Sequence, residues 1–275
     1  MKTVTLMPAG RIFSKTWMLA LIPLAACSLR MQPKEMPKPD PSQPALRKAA
    51  PRPVYRWAHL DTLVLEGGRV LQLYPAPPSV YERLPAPEWL QTAATAEAEE
   101  NDLDIAAEER RRLKTAGPRV RRTGRTLLLQ PATGKPLRFV DNPAEDYEAN
   151  IAYEYVAALP SIRHWLLSVH LYEGGYYLLV SQQTGRRTQV WSPPAVAPDG
   201  RHFVCGNSDV LARYEPSGLQ VWEVEAAGLR MLWQRQTEWG LNQPRWLDNR
   251  TILFGQDYFD NGDVDTRVMR LAVVP

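Results

Sequence analysis

Short apolar runs separated by polar stretches fill much of the chain, and the pattern changes character twice. "TLVLEGGRVLQLYP" (62–75) holds two alternating runs around Glu66-Gly67-Gly68, the composition of a β-hairpin. From residue 126 onward short apolar runs such as "TLLLQ", "HWLLSVHLY", "YYLLV", "HFVCG" and "TILFG" recur between polar turns, which predicts strand after strand. Between these regions, "PEWLQTAATAEAEENDLDIAAEERRRLKTAGP" (87–118) has few β-branched residues, acids early, Arg110 to Arg112 and Lys114 late, and a Gly117-Pro118 stop. That charge order complements a helix dipole and predicts helix, broken near Asn101-Asp102. Its apolar stripe of Trp89, Leu90, Ala93, Leu103, Ala106 and Leu113 is thin, so a solvated appendage is expected rather than a core helix.

The strand-rich part repeats. "TLLLQPATGKPLRFV" (126–140), "YLLVSQQTGRRTQVW" (177–191) and "QVWEVEAAGLRMLW" (220–233) overlay as strand, polar turn with Gly134, Gly185 or Gly228, and strand, with the glycines 51 and 43 residues apart. Pro198-Asp199-Gly200-Arg201 before "HFVCG" matches Leu247-Asp248-Asn249-Arg250 before "TILFG", both tight turns at which Gly or Asn tolerates positive φ. A third shape recurs as "HLYEGGYYLLV", "ARYEPSGLQVWEV" and "DNGDVDTRVMRLAVV". The expected class is all-β, in antiparallel units of about four strands.

The turn "APDGRHFV" after a tryptophan-bearing strand resembles the repeats of bacterial β-propellers of the TolB-like and WD-type classes, over about residues 126 to 275. The resemblance implies a propeller-like domain that works by binding. Closed propellers have at least about four blades, and the repeat supplies about three units. Either the hairpin at 62–75 completes a fourth blade around the helical insertion, or the sheets form an open, sandwich-like stack.

The N-terminus has its own pattern. Residues 1–26 carry Lys2, Arg11 and Lys15 and no acid, and run into "TWMLALIPLAA", eleven residues without charge. A membrane-spanning helix needs about 20 apolar residues, so the layout is that of a secretory signal. Leu24-Ala25-Ala26-Cys27 resembles the lipobox of bacterial lipoproteins, which implies cleavage between Ala26 and Cys27 and acylation of Cys27. Two or more acyl chains anchor a protein stably because each buried methylene contributes about 0.8 kcal/mol. Ser28 is similar to the neutral residue that permits transfer to the outer membrane. From Ser28 to Pro53, seven prolines (Pro33, Pro37, Pro39, Pro41, Pro44, Pro51, Pro53) predict an extended spacer. The expected organisation is a signal peptide at 1–26, a lipidated cysteine and tether at 27–54, a hairpin and charged helical segment at 55–125, and a propeller-like domain at 126–275.

Charge narrows the partners. Removing the three cations before Cys27 from the 33 Lys and Arg leaves 30, equal to the 30 Asp and Glu, so the mature chain is formally neutral and nucleic acid is not an expected partner. The expected partners are the bilayer, through Cys27, and an envelope protein or glycan. The Gly-x-Ser-x-Gly, His-Glu-x-x-His, Gly-x-Gly-x-x-Gly and P-loop signatures are absent from the sequence. No cofactor is implied, and no catalytic residue is assigned.

The remaining candidates are weak. Cys205 and His202 are three apart in a strand, which points them to opposite faces and makes Cys205 a core residue. His164 and His170 share a face but stand about 20 Å apart along the strand, too far to share a metal. "DYFDNGDVD" offers Asp257, Asn261, Asp263 and Asp265 to a cation, yet Phe259 and Val268 occupy two positions where a calcium loop needs oxygen ligands, so a polar hairpin around Asn261-Gly262 is expected. Tyr176, Tyr177, Tyr258 and Phe259 flank loops and form the candidate recognition surface. The strand tryptophans Trp165, Trp191, Trp222, Trp233, Trp239 and Trp246 fit spaces between sheets. The leading expectation is a lipid-anchored envelope protein serving as a binding or scaffold module. The alternatives are an envelope polysaccharide or peptide hydrolase, with Asp257, Asp260 or Glu173 as acid and base, and a purely structural lipoprotein.

Overall fold

The computed structural model describes residues 60–93, 105–144, 146, 149–260 and 262–274. Cys27, Ala26 and the proline-rich spacer lie outside the described residues, as does the expected helix break near Asn101-Asp102.

Strands dominate, and they form four antiparallel sheets. Sheet I holds β3 (Val120–Thr123), β4 (Thr126–Leu129) and β5 (Leu137–Val140). Sheet II holds β6 (Ile151–Leu159), β7 (His164–Leu171), β8 (Gly175–Ser181) and β9 (Arg187–Val190). Sheet III holds β10 (Ala195–Val196), β11 (His202–Asn207), β12 (Gly218–Glu225) and β13 (Gly228–Gln236). Sheet IV starts with β14 (Gly240–Trp246), β15 (Thr251–Asp260) and β16 (Asp263–Ala272) and is completed by the N-terminal hairpin of β1 (Thr62–Val64) and β2 (Val70–Pro75).

The hairpin at 62–75 therefore joins the far end of the chain. Pro75, Tyr74 and Leu73 of β2 stand opposite Met269, Arg270 and Leu271 of β16. Its alternation places Leu63, Leu65, Leu71 and Leu73 in one buried cluster with Ile252, Phe254 and Leu271. The boundary expected at 125/126 falls in the turn between β3 and β4, because Val120 to Thr123 pair with Leu129 to Thr126.

Three hydrophobic cores lie between successive sheets. Val120, Leu127, Leu129 and Phe139 of sheet I meet Trp165, Leu167 and Val169 of sheet II. Leu166 and Leu179 of sheet II meet Phe203, Cys205 and Trp222 of sheet III. Val204, Leu219 and Val221 of sheet III meet Leu241, Trp246 and Phe254 of sheet IV. Sheets II and III are buried on both faces, which is why β7 and β11 read as continuous apolar runs instead of alternating. Among the described residues no core cluster joins sheet I to sheet IV.

The recurring segments occupy matching places. The three strand-turn-strand stretches form β4–β5, β8–β9 and β12–β13. The turns before β11 and β15 are alike: Asp199 Oδ1 accepts the Arg201 N–H at 2.9 Å, and Asp248 Oδ1 accepts the Arg250 N–H at 2.7 Å. They also touch, because the Asp199 N–H donates to Asn249 Oδ1 at 3.2 Å. Gly200 has φ +68°, whereas Asn249 is not among the residues with positive φ, since the Asp248 carboxylate holds its turn without one.

Among the described residues three helices precede β3: α1 (Pro78–Glu82), α2 (Glu88–Ala93) and α3 (Ile105–Thr115). The helix is not the solvated appendage that its thin apolar stripe suggested. Trp89 packs on the core between sheets II and III, and α3 buries Glu109 against β6. Leu113 packs against the core between sheets I and II, and charged side chains make the remaining contacts that dock α3. The outer edge of β6 leaves the N–H groups of Tyr153 and Tyr155 without a neighbouring strand, and carboxylates take them. Tyr155 N–H donates to Glu109 Oε1 at 2.8 Å and Tyr153 N–H to Asp141 Oδ1 at 2.9 Å. Arg122 bridges the two acids, at 3.0 Å to Glu109 and 2.7 Å to Asp141, and donates to the Tyr153 carbonyl.

Candidate functional site

Antiparallel order brings one set of connections to one end of the sheets: the β7–β8 loop, the β9–β10 connection, the β11–β12 loop and the β15–β16 turn. Neighbouring sheets are tied there. The Gly175 N–H donates to Glu215 Oε1 at 3.2 Å, joining sheet II to the β11–β12 loop, and Ser208 Oγ donates to Asp257 Oδ2 at 2.6 Å, joining that loop to sheet IV. Clefts of about 320, 350 and 340 Å³ open at this end.

The 320 Å³ cleft lies between sheets II and III, with Ser168, His170, Tyr177, Trp191, Asn207 and Glu215 in its lining. Strand register builds its first wall. Glu154 stands opposite Ser168, and Ser168 opposite Tyr177, so these three side chains share a face, and His170 lies two residues on from Ser168 along β7. His170 Nε2 is 2.9 Å from Glu154 Oε2, while Arg112 of α3 donates to Glu154 Oε1 at 2.6 Å. The Glu154 hydrogen bond holds the His170 pKa above its ordinary value, against the opposing effect of burial. Burial raises the Tyr177 pKa, and its hydroxyl is hydrogen-bonded to Ser168.

The second wall comes from the β11–β12 loop. Asp209 organises it, accepting the N–H of Ala212 at 3.2 Å and of Glu215 at 2.9 Å, and these backbone bonds hold its carboxyl below the usual range. The loop places the Glu215 carboxylate at the cleft, where Asn207 Nδ2 donates to Oε2 at 3.4 Å. It also exposes Leu211 and Tyr214, by 68% and 79%, and the β7–β8 loop that the Glu215 contact joins to it exposes Tyr172 by 61%. A larger cavity of about 570 Å³ lies on the other side of His170, between α3 and sheets I and II, and includes Glu109, Arg122 and Asp141.

The residues singled out in the sequence are dispersed. Tyr176 and Tyr177 are neighbours on β8 and point to opposite faces: Tyr177 packs toward sheet III, Tyr176 toward sheet I. Tyr258 lies on sheet IV, packed against its core with the Arg267 guanidinium 5.4 Å from its ring, and Phe259 beside it points to the opposite face. Tyr176 and Tyr177 both line the 320 Å³ cleft, whereas Tyr258 and Phe259 lie on sheet IV and are not in its lining. The "DYFDNGDVD" segment is a hairpin, with Asp260 opposite Asp263 across the turn that contains Gly262. Asp257 is buried and accepts Thr266 Oγ1 at 2.6 Å as well as Ser208. Asp265 stands opposite Tyr258, so it and Asp260 share the face away from Asp257, with Asp263 beside them. Asn261 lies outside the described residues. Among the described residues, no three His, Cys, Asp or Glu are grouped to hold a metal ion.

The carboxylates weighed as an acid and base are apart too: Asp257 and Asp260 point to opposite faces of β15, and Glu173 sits on the β7–β8 loop of another sheet. Cys205 is fully buried against sheet II and His202 lies on the other face of β11, as the odd spacing implies. His164 is buried with Nδ1 2.6 Å from the Ile162 carbonyl. Sequence reasoning passed over Glu154, Glu215, Tyr172 and Tyr214. A signal was present in the repeated hairpins, where Tyr172-Glu173 and Tyr214-Glu215 are the same dipeptide just before the turn glycine or proline.

The chain matches no protein-family model, no curated protein and no solved structure. Among the described residues no helix is long and apolar enough to cross a membrane.

Proposed function

We propose that this chain is an envelope lipoprotein, anchored through acylated Cys27, whose four sheets form a propeller-like binding module. The observation that carries the binding reading is the cleft between sheets II and III, flanked by two loops that expose Tyr172 and Tyr214 and joined by the Glu215 contact. Large aromatics held out on organised loops are characteristic of recognition surfaces. Support for a propeller-like arrangement comes from pairing β2 with β16, the way a ring of sheets ties its two chain ends together. In that arrangement α3, which directly precedes β3 and packs on β6, takes the place of the first strand that sheet I lacks.

Support for the anchor is the Leu24-Ala25-Ala26-Cys27 motif followed by a proline-rich spacer, which would hold the module away from the bilayer on the outer membrane. Cys27→Ala is expected to abolish the acyl mass and release the protein from membranes; a membrane-bound, acylated variant would overturn the anchor. The module is tested with a photo-crosslinking amino acid placed at Tyr172, Tyr214 or, as a remote exposed control on sheet IV, Tyr74. Reproducible adducts from the first two positions and not from the third are expected in intact cells. The same adducts from all three, or none, would overturn it.

A further inference from the structure

Resting on the binding-module reading, we infer that the cleft between sheets II and III takes a cationic group, the ammonium or guanidinium of a basic peptide segment of a partner protein. Charge accounting at the cleft gives the sign. Glu154 is already compensated, by Arg112 at 2.6 Å and by the His170 imidazole at 2.9 Å. Glu215 is not. Its two oxygens accept one backbone N–H, from Gly175, and one neutral amide, from Asn207, and among the described residues no Lys, Arg or His forms an ion pair with it.

The Gly175 N–H and the Asn207 amide orient the Glu215 carboxylate toward the cleft and bring no positive charge to it. Tyr176, Tyr177 and Trp191 line the cleft with it, and aromatic rings attract a cation placed over them. Glu215 is shared with the adjacent 350 Å³ cleft, whose lining adds Asp209 and Glu238 against the single cation Arg213. A chain running from one cleft to the other therefore meets negative potential along its path. An anionic ligand is opposed by the same field, and a neutral saccharide covers Glu215 without gaining Coulomb energy. At about 320 Å³ the cleft is at the small end of ligand pockets, suited to one or two side chains.

The test uses the full-length lipoprotein in non-ionic detergent and a dye-labelled Gly-Lys-Lys-Lys-Gly peptide, followed by anisotropy, with Gly-Glu-Glu-Glu-Gly and chitotriose as comparators. The lysine peptide is expected to bind best, with affinity falling at least tenfold in high salt. Glu215→Gln keeps an acceptor for Gly175 and removes the charge, and is expected to lower affinity at least tenfold at unchanged melting temperature. If that variant fails to fold, Trp191→Leu, which leaves Glu215 in place, is expected to lower it several-fold. Equal binding of the two peptides, indifference of lysine-peptide binding to Glu215→Gln, or chitotriose binding that Glu215→Gln leaves unchanged would overturn the inference. If lysine peptide fails to bind while crosslinks from Tyr172 and Tyr214 persist in cells, this inference falls and the binding module stands. If those crosslinks are absent, the module reading itself falls.

Discussion

His170 Nε2 lies 2.9 Å from Glu154 Oε2, on the strip of sheet II that separates the 320 Å³ cleft from the cavity beneath α3. The pair makes stability depend on pH in a definite direction. Its hydrogen bond raises the His170 pKa above the ordinary value of about 6.5, so its stabilisation is fully present below about pH 6.5 and is lost as pH rises through the folded pKa. The imidazole is 40% exposed and Arg112 also pairs with Glu154, so solvent and the second cation screen the effect to less than about 1 kcal/mol. His164 acts oppositely: burial lowers its pKa, so stability is complete above about pH 6.5 and declines as the medium is acidified. Thermal melts should show His170→Asn losing more stability at pH 5.5 than at pH 8. His164→Asn should flatten the acid side of the wild-type profile. A His170→Asn deficit that does not change with pH would show that the pair does not titrate in this way.

Arg122 is the bridge that makes the outer edge of β6 tolerable. Its partner Glu109 has a side chain only 8% exposed, and Arg122 itself is 17% exposed. Removing one member of a buried pair leaves an uncompensated charge, which costs about 3–5 kcal/mol. Arg122→Met should therefore lower stability by about that amount in chemical denaturation. Adding Glu109→Gln should recover most of it, because glutamine still accepts the Tyr155 N–H and carries no charge. Additive losses in the double variant would show that the docking of α3 does not depend on this pair.

The same network shows what can be read from the chain and what cannot. Alternation of Leu63, Leu65, Leu71 and Leu73 announced a hairpin and the apolar run from Trp165 to Val169 announced a strand, which the structure buries on both faces. Both signals are local, since side-chain periodicity follows from the backbone alone. Pairing of β2 with β16 joins residues nearly 200 apart in sequence, Pro75 with Met269 and Leu73 with Leu271, and no local pattern specifies it. Docking of α3 escaped for another reason. Hydrophobic periodicity cannot register a helix held by Glu109 and Arg112, whose partners Tyr155, Arg122 and Glu154 come from separate strands. Tyr176, Tyr177, Tyr258 and Phe259 were selected as aromatics near loops. The first two line the cleft, and what the sequence did not show is the pairing of two loops through Glu215, a contact between residues 40 apart.

Sheets III and IV approach each other through two glycines. A Cβ at Gly240 would fall 1.9 Å from Ser208 Oγ and 2.7 Å from its Cα, and one at Gly206 would fall 2.0 Å from Leu241 Cδ2 and 2.9 Å from the Leu241 carbonyl oxygen. Neither clash is relieved by turning a side chain alone, because backbone atoms are involved on both sides. Gly240→Ala should overpack this contact at about 1–3 kcal/mol, with the melting temperature falling roughly 2–4 °C per kcal/mol for a domain of this size. It should also disturb the Ser208 to Asp257 hydrogen bond. Retained stability would mean that the two sheets can separate there without consequence.

Cys205 gives the last prediction, and it bears on the redox state of the chain. Its thiol is fully buried between sheets II and III, and burial pushes its pKa well above the ordinary thiol value, so almost no thiolate forms near neutral pH. Thiol reagents attack the thiolate, which makes native Cys205 inert. Labelling with a maleimide should be negligible in the folded protein and quantitative after denaturation, at a rate that follows unfolding. In Cys27→Ala, where Cys205 is the only cysteine left, the labelled fraction then reports local opening between sheets II and III. Arg122→Met, which loosens sheet II at its β6 edge, should speed that labelling. Rapid modification of the folded Cys27→Ala protein would place Cys205 on an accessible surface and contradict the packing of the middle core.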